Sequence, residues 1–410
     1  MKILYLVHQF YPEYQSGTEK FVHNCALMAQ KNGNKVKVVT YGFYKDSFFE
    51  QEDEGILSKE FIYQGIPVLA FKYKNQPIDL HSSLEHNASF EFAKRIISTE
   101  SPDLIHVGHP MRVHQFIEAA REMNVPYIIT LTDFFLLCPK IILAPNRDAL
   151  CSGPQKGTTC KKLCSELSDS FISNWLILGE EILNNARAII SPSMFLANIF
   201  STEYGHLKIH IINHGIRYSD IRANNKKYAI GDKLVFGNAG NLVYHKGVHV
   251  LLNAFSAIKN DNIRLSVYGT GDDAYVNKLK DMVKGDNRVS FLGPFLANQL
   301  GDIYQGIDVM VTPSVCYENY PFVLHEALAS KVPVIGSQLG GIAEKIKEGY
   351  NGFTFKPGEP HDLQSKMSLI INDPGLLNKL KENIGKEMII PNVEQEAYKY
   401  FKIYNFLSTR

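Results

Sequence analysis

The segment from Pro313 to Gly341, which reads PSVCYENYPFVLHEALASKVPVIGSQLGG, constrains the possible fold more than any other part of the chain. Pro321 suits the first turn of a helix, because proline has no backbone N–H to leave unpaired and its φ angle is fixed. We predict a helix from Pro321 to about Ala329, followed by a strand over 332–336 whose apolar run is typical of buried parallel strands. This order of loop, helix and strand predicts an α/β domain.

Other short apolar runs predict further strands in both halves of the chain. They cover residues 2–7, 35–40, 103–107, 126–131, 233–240, 264–268 and 289–293. At 410 residues the chain is too long for one ordinary core, so we expect two domains. We place the first domain at 1–212, completed by an amphipathic final helix within 392–410, and the second domain at 213–391.

The composition excludes several classes of protein. The net charge is +1 and neither half carries the basic excess that would argue for nucleic acid, so we expect no nucleic-acid partner. The first apolar run, Ile3–Val7, is too short for a signal peptide, and no stretch has the length of a membrane span. We therefore expect a cytoplasmic protein with at most peripheral contact at the inner face of the membrane.

Two carboxylates in the central segment, Glu318 and Glu326, stand eight positions apart on either side of the predicted helix start. The N–H groups of Phe322 and Val323 belong to the first turn of that helix, at the positive end of its dipole. Such a helix end is suited to binding a phosphate group. The pattern predicts an anion site flanked by two acidic side chains.

These two glutamates, together with the following EALASKVPVIGSQLGGIAE, resemble the signature of retaining glycosyltransferases of family four, which have the GT-B fold. The resemblance extends over nearly the whole chain and is strongest from about 233 to 358. It implies two Rossmann-like, doubly wound domains facing a cleft, with a C-terminal helix that crosses back to the first domain. Nothing in the hydrophobic periodicity alone would predict more than a two-domain α/β protein.

The resemblance also implies roles for residues that bind the donor, a nucleotide-diphosphate sugar linked to UDP or GDP. Glu326 would bind the ribose hydroxyls, and Glu318 the donor sugar. Lys246, in GNLVYHKG, matches the lysine that contacts the diphosphate, whereas Asn241 stands where the family has an arginine. The further donor-binding positions are Asn319, Phe322, Val323 and Gly17, the last in a glycine loop where Ser16 replaces a second glycine.

On the acceptor side, Thr132-Asp133 stands where the family usually has His-Asp. Threonine cannot carry a proton as histidine does, and His109, which follows the preceding strand, could take over part of this role. We therefore count His109 with Lys246 and Glu318 as candidate catalytic residues. The acceptor would be a glycan or a lipid-linked group.

Four cysteines lie close together in the sequence, Cys138, Cys151, Cys160 and Cys164. Clustered cysteines in a cytoplasmic chain favour a structural zinc over disulfides, but their spacing is not that of paired zinc motifs. Structural zinc and free thiols stay open about equally, and a disulfide is the least favoured alternative. For catalysis itself we expect no metal or other cofactor.

The main interpretation is a retaining glycosyltransferase that acts in the synthesis of a cell-surface polysaccharide, glycolipid or glycoconjugate. The alternative is a partner subunit of a glycan assembly complex that binds sugar nucleotides without transferring the sugar, which the changes at Thr132 and Asn241 favour. A nucleotide-sugar epimerase on the same fold agrees less well with the two glutamates.

Overall fold

The structure is a computed structural model of the chain, and it describes residues 1–78, 80, 87–147, 149–387 and 390–408. The chain forms two compact units. The first comprises Met1–Pro145, Cys151–His214 and Val393–Arg410, and the second comprises Asn146–Leu150 and Gly215–Asn392. None of the helices in the described part combines the length and apolarity needed to cross a bilayer.

The first unit is built on one large sheet. Its strands are β1 (Lys2–Val7), β2 (Lys35–Tyr41), β3 (Gln51–Asp53), β4 (Ile56–Tyr63), β5 (Ile66–Tyr73), β6 (Leu104–Val107), β7 (Tyr127–Thr130), β8 (Ala188–Ser191) and β9 (Ile209–Ile211). Their order across the sheet is β3-β4-β5-β2-β1-β6-β7-β8-β9. Across the part of the sheet with the order β5-β2-β1-β6-β7-β8-β9, all neighbouring strands are parallel. At the β3-β4-β5 edge the pairings are antiparallel. The central strand β1 is buried because helices cover both faces of such sheets.

Helices follow the strands β1, β5, β6, β7 and β8 of the first unit. They are α1 (Gly17–Lys31), α2 (Asn87–Glu100), α3 (His114–Glu122), α4 (Thr158–Leu163), α5 (Asp169–Asn185) and α6 (Met194–Glu203). Parallel strands connected by helices make this unit a doubly wound α/β domain.

The second unit has a smaller sheet in which every described pairing is parallel. Its strands are β10 (Leu234–Ala239), β11 (Ile263–Tyr268), β12 (Val289–Gly293), β13 (Val309–Thr312), β14 (Val334–Ser337) and β15 (Gly352–Phe355), in the order β12-β11-β10-β13-β14-β15. The helices are α7 (Val248–Ala257), α8 (Asp273–Met282), α9 (Leu300–Gly306), α10 (Phe322–Ala329), α11 (Gly340–Lys345), α12 (Pro360–Asn372) and α13 (Pro374–Glu387). This strand order is that of dinucleotide-binding sheets.

The last helix, α14 (Val393–Ser408), belongs to the first unit. Its apolar residues Val393 and Ala397 pack against Met28 of α1. Deeper in the sheet, the Tyr404 hydroxyl lies 2.7 Å from Nδ1 of His106, which is fully buried. The chain therefore returns to its first unit after completing the second, as the fold implied by the resemblance requires.

The stretch from 217 to 232 is polar and has no hydrophobic period, which predicts a linker. In the structure, side-chain hydrogen bonds fix this stretch to the second unit. The Tyr228 hydroxyl donates to Asp308 at 2.7 Å. Lys381 of α13, itself buried, donates to Asn224 at 2.8 Å and to Tyr228 at 3.1 Å. Burial lowers the pKa of Lys381 to about 8, against the opposing pull of Asp308.

Candidate active site

In the second sheet, β10 and β13 are neighbours although two strands separate them along the chain. The sheet continues from β10 to β11 and β12 on one side, and from β13 to β14 and β15 on the other. Ligands of open parallel sheets bind beyond the carboxyl ends of the strands, where the strand order reverses. The segments at that point are the turn 240–247, after β10, and the loop 313–321, after β13.

The two segments are held together by their backbones. The N–H of Val315 donates to the carbonyl oxygen of His245 at 2.9 Å. Gly247 has a φ of +69°, and a Cβ at this position would lie 1.9 Å from the carbonyl oxygen of Pro313. The position therefore requires glycine, both for its conformation and for the close approach.

Lys246 of the turn and Glu318 of the loop form a charged pair. Nζ of Lys246 donates to Oε1 of Glu318 at 2.6 Å, and the Ser314 hydroxyl donates to the same oxygen at 2.8 Å. Lys246 is about one-third exposed, at 35%, and Glu318 is more buried, at 14%. The structure thus brings together the lysine and the first glutamate predicted from the sequence, although they are far apart in the chain.

Glu326, the second glutamate, lies on α10 and is almost fully buried, with 3% of its surface exposed. Its Oε2 accepts a hydrogen bond of 2.9 Å from the hydroxyl of Tyr304, on α9. Burial and the adjacent carboxylate raise the pKa of Tyr304 well above its usual value, so the hydroxyl stays a donor. One oxygen of Glu326 is therefore anchored, which fixes the orientation of the carboxylate.

The start of α10 differs slightly from the sequence-based expectation. The helix begins at Phe322, and Pro321 precedes it at the N-cap position instead of opening its first turn. The Nδ1–H of His325 donates to the carbonyl oxygen of Pro321 at 2.9 Å, and the His325 ring stacks on Tyr320 with 3.7 Å between ring centres. Phe322 and Val323 occupy the first turn, where backbone N–H groups point out of the helix end.

Two further predicted donor-side residues, Asn319 and Asn241, lie in the same two segments. Asn319 is half-buried in the loop 313–321, and a Cβ on Gly341 would lie 2.2 Å from its carbonyl oxygen, which explains the glycine at the start of α11. Asn241 is exposed in the turn 240–247 and brings no charge to it. The donor-side residues of this unit are therefore placed together around the turn and the loop.

In the first sheet the strand order reverses between β1 and β6. Thr18 can cap a helix, so the sequence predicts that α1 starts at about this residue. In the structure Gly17 opens α1, the helix that follows β1, and Ser16 is its N-cap. The backbone N–H of Ser16 donates to Oε2 of Glu19 at 2.6 Å, and its hydroxyl donates to the same oxygen. Ser16 thus has a capping role at the position where the family pattern has a glycine.

His109, after β6, and Asp133, after β7, form a close pair. Nε2 of His109 lies 2.6 Å from Oδ2 of Asp133, and the N–H of Met111 donates to Nδ1 of His109 at 3.2 Å. Because Nδ1 accepts this bond, the proton resides on Nε2 and is donated to Asp133. His109 is fully buried, whereas the Asp133 side chain is 25% exposed. In this geometry His109 orients Asp133, and it is Asp133 that can reach a ligand.

A second histidine, His8, lies beside this pair. Its ring centre is 4.0 Å from that of His109, and its Nε2 is 3.8 Å from Oε1 of the buried Glu19. Burial, with smaller contributions from His109 and Arg112, lowers the pKa of His8 well below its usual value. His8 is therefore neutral at pH 7.

Thr132 has a different role from the histidine it replaces. Its hydroxyl donates to the carbonyl oxygen of Gly108 at 3.0 Å and so ties the end of β7 to the segment after β6. Among the predicted acceptor-side residues, His109, Thr132 and Asp133 are thus placed together.

Sequence reasoning missed several residues that fix the site. These are Ser314, Tyr304, Glu19 and Met111, which contact Glu318, Glu326, Ser16 and His109 respectively. The spacing of Ser16 and Glu19 is a capping-box signal that could have revealed one of them. The other three carry no local signal, since their partners are set by tertiary contacts or by the backbone of a loop.

Cys138, Cys151, Cys160 and Cys164, here called the cysteine cluster, line one small cavity of the first unit and form no disulfide. The N–H of Gly153 lies 3.4 Å from the Cys151 sulfur. Burial, and then the nearby sulfurs, raise the pKa of Cys160 to about 12. Within the described residues no group of three or more metal-binding side chains has the arrangement of a metal site, so the structural zinc stays a prediction.

Comparison with known proteins identifies the family. The model described as Glycosyltransferase Family 4 matches residues 15–219, which is half of the chain, and the model described as Glycosyl transferases group 1 matches residues 220–387. The chain belongs to glycosyltransferase family 4. The resemblance first seen in the segment with Glu318 and Glu326 is thereby confirmed.

Curated glycosyltransferases align with parts of this family 4 chain. Two uncharacterized glycosyltransferases of Methanocaldococcus jannaschii are 29% and 27% identical to it, over 51% and 73% of this chain. The alignments span 57% and 74% of those proteins. A lipopolysaccharide 1,2-N-acetylglucosaminetransferase of Salmonella typhimurium is 28% identical over 47% of this chain and 53% of its own length.

Solved structures similar to this family 4 chain confirm the predicted GT-B fold. HepE of Anabaena, solved in complex with UDP and glucose, has a TM-score of 0.71 at 19% identity and covers 99% of each chain. A sucrose-phosphate synthase from Thermosynechococcus elongatus has a TM-score of 0.76 at 16% identity and covers 100% of this chain and 99% of its own. At these identities the likeness concerns the fold alone.

Proposed function

We propose that the protein is a retaining glycosyltransferase that transfers a sugar from a nucleoside-diphosphate donor to a hydroxyl group of a glycan or lipid-linked acceptor. The observation that carries this proposal is the Lys246–Glu318 pair. The pair joins the turn 240–247 to the loop 313–321, at the point where the strand order of the second sheet reverses. Family membership supports the same reaction class. We also propose that the reaction is a step in the synthesis of a cell-surface polysaccharide, glycolipid or glycoconjugate.

The donor would be bound by the second unit. Glu326, with one oxygen anchored by Tyr304, would accept hydrogen bonds from the ribose hydroxyls. Glu318 would bind hydroxyls of the donor sugar, and Lys246 would bind the diphosphate together with the N–H groups of the first turn of α10. Charge developing on the leaving diphosphate is stabilised when preorganised donors already point at it.

The acceptor would be bound at the ends of β6 and β7 in the first unit. Asp133, oriented by His109, would accept a hydrogen bond from the acceptor hydroxyl and so position it for attack. In a retaining reaction of this type the acceptor attacks from the face that the leaving group departs from. Its proton passes to an oxygen of the departing β-phosphate, so the reaction needs no separate base at Thr132.

UDP is the first nucleotide to test, since the similar HepE structures were solved with UDP and with UDP-glucose. We would compare UDP, GDP and ADP by thermal shift, and then incubate the protein with the matching sugar nucleotides and follow slow donor hydrolysis. Hydrolysis with retained anomeric configuration, lost in Glu318→Gln, supports the transferase. No shift with any of the three nucleotides would contradict the proposal.

The alternative, a subunit that binds sugar nucleotides without transferring the sugar, is favoured by the uncharged Asn241. It predicts a thermal shift with one nucleotide and no hydrolysis or transfer from its sugar derivative. The same two measurements therefore separate the transferase from the binding protein.

A further inference from the structure

The turn 240–247 is short of positive charge for a site that binds a diphosphate. Asn241 is neutral, and Lys246 is paired with Glu318 at 2.6 Å, so the two side chains together carry no net charge. A diphosphate brings two or more negative charges, and charge-assisted hydrogen bonds are the strong contacts available to it. A second cation near this turn would complete the site.

One arginine is held close to the turn. Arg147 belongs to the segment Asn146–Leu150, which is part of the second unit although its neighbours on both sides belong to the first. The guanidinium carbon of Arg147 lies 5.4 Å from the centre of the Tyr244 ring, within the range of a cation–π contact. Tyr244 is two positions before Lys246, in the same 3₁₀ turn.

The surface on which Arg147 rests is itself fixed. The Tyr244 ring is stacked on His249 with 4.6 Å between ring centres, and Nδ1 of His249 is hydrogen-bonded to the Tyr275 hydroxyl at 2.9 Å. The tip of the segment that carries Arg147 is closed by a β-bridge between Asn146 and Ala149.

We propose that Arg147 supplies the second cation for the donor diphosphate, in place of the positive charge that Asn241 does not provide. This inference rests on the proposed function. A guanidinium that lies over an aromatic ring uses its face for that contact, and its five N–H donors remain in the plane of the group. Arg147 is exposed, and among the residues that the structure describes none forms an ion pair with it.

A purely structural contact is the competing explanation. An exposed cation–π contact is weakly stabilising and would hold the segment 146–150 in place without touching a ligand. The two explanations differ in one respect. A phosphate-binding arginine affects the binding of a nucleoside diphosphate but not that of the nucleoside, whereas a structural arginine affects both or neither.

The experiment measures, by calorimetry, the affinity of the wild type and of Arg147→Ala for the nucleoside diphosphate selected by the thermal-shift panel, and for the nucleoside without phosphates. We expect Arg147→Ala to weaken diphosphate binding about tenfold or more, the loss of one charged hydrogen bond, and to leave nucleoside binding unchanged. Lys162→Ala removes an exposed charge from the same part of the chain, on α4, and should change neither affinity.

Asn241→Arg in the Arg147→Ala background should restore most of the diphosphate affinity, because it returns a guanidinium to the turn. Equal affinities of Arg147→Ala and wild type for the diphosphate would overturn the inference and leave the proposed function standing. An equal loss for diphosphate and nucleoside would also overturn it, in favour of the structural contact. If the wild type binds no nucleoside diphosphate, the proposed function fails and this inference fails with it.

Discussion

Replacing Lys246 by alanine tests the charged pair of the second unit directly. The change removes the hydrogen bond of 2.6 Å that Lys246 donates to Glu318. The Glu318 side chain is only 14% exposed, and of the two donors described above it keeps the Ser314 hydroxyl. Loss of one preorganised donor to a leaving group lowers kcat by about 10²–10³, roughly 2.7–4 kcal/mol. We therefore expect kcat to fall at least about a hundredfold.

The same change should also weaken donor binding, because the Glu318 charge is no longer balanced next to the diphosphate. The double variant Lys246→Ala/Glu318→Gln removes that charge as well. We expect it to bind the nucleoside diphosphate more tightly than Lys246→Ala alone, although it stays inactive. Such non-additivity is typical of residues in direct contact.

The assay is steady-state transfer or donor hydrolysis, with calorimetry for the nucleotide and circular dichroism as a check on folding. Lys284→Ala, an exposed lysine of the same unit, is the matched control and should behave as the wild type. Near-normal turnover of Lys246→Ala would refute the reasoning. It would mean that another cation acts on the leaving group and that the diphosphate lies elsewhere.

Three further predictions concern Glu326, the cysteine cluster and Lys381. Glu326→Ala should weaken nucleotide binding by about 1.5–3 kcal/mol, measured by calorimetry, and an unchanged affinity would remove Glu326 from the site. If the cysteine cluster binds zinc, the purified protein should contain about one metal per chain and a chelator should loosen the segment near residue 150, whereas four titratable thiols without zinc would contradict this. Burial lowers the pKa of Lys381 to about 8, below its unfolded value, so the wild type should gain stability as pH rises from 8 to about 10.4, by roughly 3 kcal/mol at most. Lys381→Met should lose this pH dependence and the exposed Lys379→Met should keep it, as followed by chemical unfolding.

Much of the fold could be predicted because its signals are local. The apolar runs predicted parallel strands in both sheets but not β3, β4 and β5, and the family pattern around Glu318 and Glu326 predicted the GT-B fold. The contact between Lys246 and Glu318 joins residues 72 positions apart, so no local pattern shows that they pair. The pattern indicated only that each of them would lie near a donor.

The state of His109 could not be predicted for a similar reason. A histidine after a strand can act as a base, an acid or a structural group, and its hydrogen bonds decide which. Here both ring nitrogens are engaged, by the Met111 backbone and by Asp133. Only the folded chain places these partners, and they shift the exposed role from the histidine to the aspartate.

The division of the chain into units has a practical consequence for dissecting the protein. The backbone passes between the two units after Pro145, Leu150, His214 and Asn392. A fragment that begins at Gly215 would therefore lack the segment with Arg147, and a fragment that ends at His214 would lack α14, which packs on α1. Neither half is complete when expressed alone, so mixing the two fragments should be required to recover nucleotide binding of wild-type strength.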